Sequence, residues 1–240
     1  MISKYKAFTI FREGFRIFEQ MTSRQVTTHT LLNQSLILLP QKAIFWQEEQ
    51  ALIVADVHLG KVGHFRKAGI AIPRLMEQED LACLSDIIQD TKPKTIIFLG
   101  DLFHSDMNND WGWFVLWRNL YKDIRMILIR GNHDIIHDDF YLKLNFELYN
   151  DLFMEPFLLV HEPLKARQLT LETRYVLSGH LHPGVSLKGK GKQAETLPCF
   201  YFGDKQGVLP AFGRFTGKVC IMHEQTDNIY GILQNKVISF

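Results

Sequence analysis

The chain has 240 residues, a formal net charge of +1, 46% hydrophobic residues and 22% charged residues. That length and composition suit one large domain with a sizeable core and exclude general disorder. The near-neutral balance excludes a global pull toward nucleic acid or anionic membrane, so any such contact has to come from a local patch. The three cysteines, Cys83, Cys199 and Cys220, are far apart and form no CxxC pair. They argue against a disulfide framework or a structural zinc site, and for a reducing, cytoplasmic setting. No stretch approaches the ~20 apolar residues of a membrane helix, so no membrane association is expected. The N-terminus has no apolar signal core.

Residues 1–25 read as an N-terminal extension ahead of a single domain over 26–240. Phe8, Phe11, Phe15 and Phe18 recur at helical spacing among Lys4, Lys6, Arg12 and Arg16, the pattern of an amphipathic helix that docks on the body or on a partner. Met21 is an alternative start. Short apolar runs at 36–39, 43–46 and 51–55 predict strands, the last ending in Asp56-Val57-His58-Leu59-Gly60. A basic loop follows, with Lys61, His64, Arg66 and Lys67, and then a helix from Pro73 through about Asp90. The strand 95–99 ends in Gly100-Asp101-Leu102-Phe103-His104. A helix over 111–117 and a strand over 125–130 lead to Gly131-Asn132-His133-Asp134. Alternation of strand, polar motif and helix predicts an α/β domain with a parallel sheet. Beyond Asp139, runs at 157–160 and 175–177 end in His161 and in Gly179-His180-Leu181-His182. Further short runs at 184–187, 196–202, 218–222, 229–233 and 236–238 predict a second, more antiparallel sheet.

Five strand-like segments therefore end in groups able to bind metal: Asp56 with His58, Asp101, Asn132 with His133, His161, and His180 with His182. Carboxylate, amide and imidazole together suit divalent manganese, iron, zinc or cobalt better than magnesium or calcium. Two residues apart in an extended strand end, Asp56 and His58 point the same way; His180 and His182 do so too, unless a turn sends them to different ions. The set exceeds one tetrahedral ion and satisfies two that share a carboxylate. Two such ions form a clamp for phosphoryl displacement. No nucleophile elbow, Walker A or GxGxxG loop competes with that reading.

Asp56-x-His58, Gly100-Asp101-x-x-His104, Gly131-Asn132-His133-Asp134, His161 and Gly179-His180-x-His182 resemble, in order, the five motifs of the calcineurin-like metallophosphoesterases. The resemblance implies a four-layer α/β/β/α sandwich of two mixed sheets. It implies two divalent ions, manganese first among the candidates. Asp56, His58 and His182 would hold one, Asn132, His161 and His180 the other, and Asp101 would bridge. His133 would protonate the leaving group or stabilise the transition state. The implied reaction is hydrolysis of a phosphodiester by a hydroxide bridging the ions.

Many phosphomonoesterases of this family carry an aspartate three residues after the bridging one, where it orients the catalytic histidine. Here that position is His104, as in SbcD-like DNA nucleases. A closer resemblance, over about 31–216, is to the bacterial DNA ligase-associated metallophosphoesterases. Its late part is Leu209-Pro210-Ala211-Phe212-Gly213 with Phe215-Thr216-Gly217. It implies a DNA endonuclease of DNA repair, with DNA as substrate and a ligase or helicase as partner. Lys61, Arg66, Lys67 and Arg130 are the candidates for phosphate contact; a solvated basic loop, and a salt bridge at Arg130, are the plainer readings. Trp111, Trp113 and Trp117 read as helix packing before base stacking. Lys188-Gly189-Lys190-Gly191-Lys192 reads as a basic hairpin tip. The remaining histidines, His29, His64, His137 and His223, read mostly as surface or loop positions. The competing functions are a phosphomonoesterase or cyclic-nucleotide phosphodiesterase, and a binding scaffold without catalysis.

Overall fold

The computed structural model describes residues 25–61, 78–104, 107, 109–170, 174–188 and 194–240. The helical reading of the N-terminal phenylalanines, the loop residues His64, Arg66 and Lys67, and the tip 189–193 lie outside the described residues.

The first sheet holds β1 (Thr27–Leu31), β2 (Gln34–Leu39), β3 (Ala43–Trp46), β4 (Ala51–Val54), β5 (Thr95–Leu99), β6 (Arg125–Ile129) and β7 (Phe146–Tyr149), in that spatial order. β1 to β4 pair antiparallel and β4 to β7 pair parallel. Between them come α1 (Glu79–Thr91), α2 (Asn109–Leu120) and α3 (Asp138–Leu142). The second sheet holds β8 (Asp151–Met154), β9 (Phe157–Val160), β10 (Tyr175–Ser178), β11 (Pro183–Lys188), β12 (Ala194–Phe202), β13 (Gln206–Val208), β14 (Val219–Cys220), β15 (Asn228–Leu233) and β16 (Lys236–Ser239). Its centre is parallel, β9 to β10 to β13, and its flanks are mainly antiparallel.

The central strands β4, β5 and β6 of the first sheet are apolar on both faces, as a sheet covered on both sides requires. In β4, β5 and β6 the residues Leu52, Val54, Ile96, Phe98, Met126 and Leu128 join the core under the helices. The alternate residues Ile53, Ile97, Leu99, Ile127 and Ile129 join the core between the sheets. Phe157, Leu159, Leu177, Phe200 and Phe202 meet them from the second sheet. Each such side chain contributes about 1.5–3 kcal/mol when fully buried. All three described helices place side chains in the core on the first sheet's outer face, including Leu84, Phe114 and Tyr141. Among the described residues the outer face of the second sheet carries no α-helix, only a small cluster of Val185, Leu197, Cys199 and Ile229. The molecule is thus two mixed sheets packed face to face, with helices on the first.

Four elements depart from the sequence reading. β1 is a polar Thr-Thr-His-Thr-Leu edge strand without apolar alternation, and β7, β8 and β13 are only three or four residues long. Their pairing partners, not their own sequences, make them strands. Among the four histidines outside the motifs, which read mostly as surface or loop positions, His29 is an exception: it is 7% exposed, with Nδ1 3.0 Å from the Tyr230 hydroxyl and its ring stacked on Phe202. Trp113 does not pack in the core: it is 47% exposed, while Trp117 is buried with its indole N–H donating to Ser85.

Candidate metal centre

β4, β5 and β6 are parallel neighbours, as are β9 and β10, so their carboxyl ends fall on one edge of the two sheets. That edge is where open α/β sheets bind ligands. Each strand continues into one motif. The loops after β4 and β5 stay paired: the N–H groups of Asp56, His58 and Leu59 donate to Gly100, Asp101 and Leu102 carbonyls, and His104 N–H donates to Leu59. In the second sheet the loops after β9 and β10 are joined likewise, Gly179 N–H donating to the His161 carbonyl. The segment after β13 closes the floor: Leu209 N–H donates to Ser178, Phe212 N–H to Ala55 and Gly213 N–H to Asp56.

The convergence is not that of extended strand ends. Asp56, His58, Asp101, His180 and His182 all have left-handed backbone, with φ between +49° and +67°. Such conformations are uncommon outside glycine and cluster at functional sites. In the reading from sequence, strand alternation aimed Asp56 and His58 together; two left-handed turns do it instead. His180 and His182 are split by theirs. Gly131 and Gly100 permit the close packing. A Cβ on Gly131 would stand 2.2 Å from Asp101 Oδ1, and one on Gly100 (φ +79°) would stand 2.2 Å from His161 Nδ1.

Two groups result: Asp56, His58 and His182, and Asp101, His161 and His180, each with its ligand atoms within 4.8 Å of one another. Asp101 faces both. Its Oδ2 is 3.7 Å from His58 Nε2 and its Oδ1 3.5 Å from His161 Nε2. Asn132 Oδ1 is 2.9 Å from His161 Nε2, so the amide joins the second group.

The donor set fits a cation in each group. The Leu99 carbonyl only accepts, so His161 Nδ1 donates to it at 2.9 Å. In the neutral ring Nε2 then carries a lone pair, and that lone pair faces the acceptor oxygens Asn132 Oδ1 and Asp101 Oδ1. Acceptors turned on one another are costly unless a cation sits among them. In the first group Asp56 Oδ1 and His58 Nδ1 are buried without a hydrogen-bond partner. Burial, with the Lys61 charge and neighbouring imidazoles adding, pushes His58 down to about 2, leaving a neutral ring suited to ligation.

Asp134 shapes the centre from behind. Its buried carboxylate accepts from the backbone N–H groups of Asp101, Leu102, Phe103 and Gly131, pinning the β5 and β6 loops together. The sequence left it without a chemical role; its part is positioning.

His133 is half-buried at the rim. Its backbone N–H donates to Asp101 Oδ1 at 2.8 Å, and its Nδ1 donates to the His104 carbonyl at 3.2 Å, so Nε2 is the ring nitrogen outside that bond. Orientation at position 104 therefore comes through the main chain, with the two rings stacked 5.2 Å apart.

Lys61 lies directly beyond His58, its backbone N–H donating to the His58 carbonyl, and burial pulls its ammonium below the usual lysine range. Arg130 pairs with Asp138, donates to the Asp134 carbonyl and lies over the Tyr141 ring, the contacts that the salt-bridge reading expects. What the sequence reading missed is the left-handed geometry and the basic group around Lys42 and Lys218; neither has a local motif.

Among the described residues no helix is long and apolar enough to cross a membrane. The calcineurin-like phosphoesterase pattern matches residues 50–167, which spans every motif up to His161. A search of the curated proteins finds no match. Among solved structures, a nuclease of Pseudomonas putida is 31% identical, with a TM-score of 0.75 over 90% of this chain and 100% of its own. The phosphoesterase Yfce of E. coli is 13% identical, with a TM-score of 0.44 over 78% of this chain and 96% of its own, too distant to argue from. Identity of that order with the first, over its whole length, together with the matched pattern, places this chain in the calcineurin-like phosphoesterase family.

Proposed function

We propose that this phosphoesterase is a two-metal phosphodiesterase acting on nucleic acid, DNA in the first instance, as an endonuclease of DNA repair. The observation that carries the reading is the pair of acid–imidazole groups sharing Asp101. The likeness to the Pseudomonas putida nuclease supports the choice of substrate. Asp56, His58 and His182 would hold one divalent ion, and Asn132, His161 and His180 the other. Asp101 would bridge, and manganese is the first metal to try. When bound, such ions lower the pKa of water and neutralise charge growing on phosphoryl oxygens.

The chain's own residues do the rest. His133, fixed through its main chain to Asp101 and through Nδ1 to His104, presents Nε2 to the leaving oxygen and supplies its proton. Asp134 keeps the β5 and β6 loops in register while this happens. Lys61, beside the first group, contacts a substrate phosphate. The reading extends to a cytoplasmic setting, where Cys83, Cys199 and Cys220 stay thiols, and to a ligase or helicase as repair partner.

The test is the purified chain with manganese, assayed on bis-p-nitrophenyl phosphate, p-nitrophenyl phosphate, and single- and double-stranded DNA. Cleavage of the diester and of DNA is expected. Robust monoester cleavage without either would leave a phosphomonoesterase and end the nuclease reading. His133→Ala should lower kcat about 10²- to 10⁴-fold while metal content stays at the wild-type value.

A further inference from the structure

Next to His182 lies a cavity of about 90 Å³, with Lys42, Arg214, Thr216 and Lys218 in its wall. None of these residues belongs to the reaction described above. Three of the four are cations, Arg214 and Lys218 from one stretch and Lys42 from a distant turn. Lys42 sits in the turn between β2 and β3, Arg214 and Thr216 follow the floor segment, and Lys218 precedes β14.

The wall is built and tied to the metal centre. Lys42 Nζ donates to the Gly213 carbonyl at 3.3 Å, and Thr216 Oγ1 donates to the same carbonyl at 2.8 Å. Gly213 N–H in turn donates to the Asp56 carbonyl. Arg214 is anchored by Glu79 and lies 4.0 Å from Asp80, and neither carboxylate lines the cavity. The volume takes several waters, and so a hydrated phosphate.

We infer that this cavity is a subsite for a backbone phosphate flanking the scissile one on a nucleic-acid strand, held by Lys42, Arg214 and Lys218. The inference rests on the nuclease reading above. A cluster of cations around a hollow, one wall of which is a proposed metal ligand, is what a second phosphate of a continuous strand needs. A small diester has a single phosphate and cannot occupy both places. Burial already pulls the Lys42 ammonium down to about 8, so an anion in the cavity would favour its charged form.

The test uses the full chain with Lys218→Ala, Arg214→Ala and the double variant, with Lys218→Glu as a change at an exposed position that leaves the Arg214 anchor intact. Binding of a fluorescent single-stranded oligonucleotide is titrated against salt in EDTA, where nothing is cleaved. The slope of log affinity on log salt should shrink by about 0.7 for each cation removed, and by about twice that in the double variant. With manganese, the ratio of kcat/KM on the oligonucleotide to that on bis-p-nitrophenyl phosphate should fall about tenfold, through KM. A double variant that matches the wild type in both slope and ratio overturns the subsite. So does inorganic phosphate binding that is lost in the variants while oligonucleotide binding is untouched. Wild-type DNA cleavage alongside that result leaves the nuclease reading standing. Salt-dependent binding that the variants lose, with no cleavage by the wild type, fails the nuclease reading and keeps the subsite.

Discussion

At the scale of single residues, the centre depends as much on Asp134 and Gly131 as on the ligands. Asp134→Ala leaves four backbone N–H groups without their acceptor in a buried loop pair. A loss of about 3 kcal/mol is expected, read by urea unfolding of the metal-free protein, because each stranded donor costs its desolvation. Wild-type stability in that variant would show that the loops hold without the carboxylate. His29 gives a pH-dependent case. It is buried, and burial lowers its pKa below 6.5, so the folded state holds it neutral. Its contribution is present above 6.5 and is lost as pH falls, since the unfolded chain then binds the proton more readily. The stability of His29→Leu relative to wild type should therefore improve between pH 7.5 and 5.5. An unchanged difference over that range would count against a neutral, buried His29.

At the scale of elements, α2 divides cleanly into two faces. Phe114 is fully buried, its ring 5.1 Å from that of Phe103, whereas Trp113, Leu116 and Leu120 are 47%, 58% and 78% exposed. Phe114→Ala should cost about 3–5 kcal/mol in chemical denaturation, and Leu116→Ser should stay within about 0.5 kcal/mol. The reverse ranking would mean that the helix packs through its other face. The helix itself was legible from its aromatic run. Which tryptophans are buried was not, because Trp111, Trp113 and Trp117 differ in what the first sheet and α3 present to them. The strands β4, β5 and β6 were legible for a firmer reason: runs apolar on both faces fit only a sheet covered on both sides.

At the scale of the whole molecule, the two sheets pack face to face, and the candidate ligands lie where the carboxyl ends of their parallel strands share one edge. Asp56, His58, Asp101 and Asn132 come from the first sheet's loops, and His161, His180 and His182 from the second's. Cations bound there bridge the sheets, so exhaustive chelation should lower the melting temperature, and manganese added back should restore it. A melting temperature indifferent to chelator would detach the metals from the fold. The sequence by itself determined the order and identity of the motifs and their attachment to strand ends. These are local: an apolar run, then glycine and metal-competent side chains. It also made plain two sheets of different character and the excess of ligands over one ion. Only the tertiary structure decided which ligand serves which group. That choice is made by five left-handed turns and by the approach of β9 and β10 to β4, β5 and β6. It paired Arg130 with Asp138 and set His133 Nδ1 on the His104 carbonyl. It brought Lys42 to Arg214 and Lys218, more than 170 positions further along the chain, around one cavity. No spacing rule encodes such a meeting, because it is set by how two sheets pack and not by any periodicity along one of them.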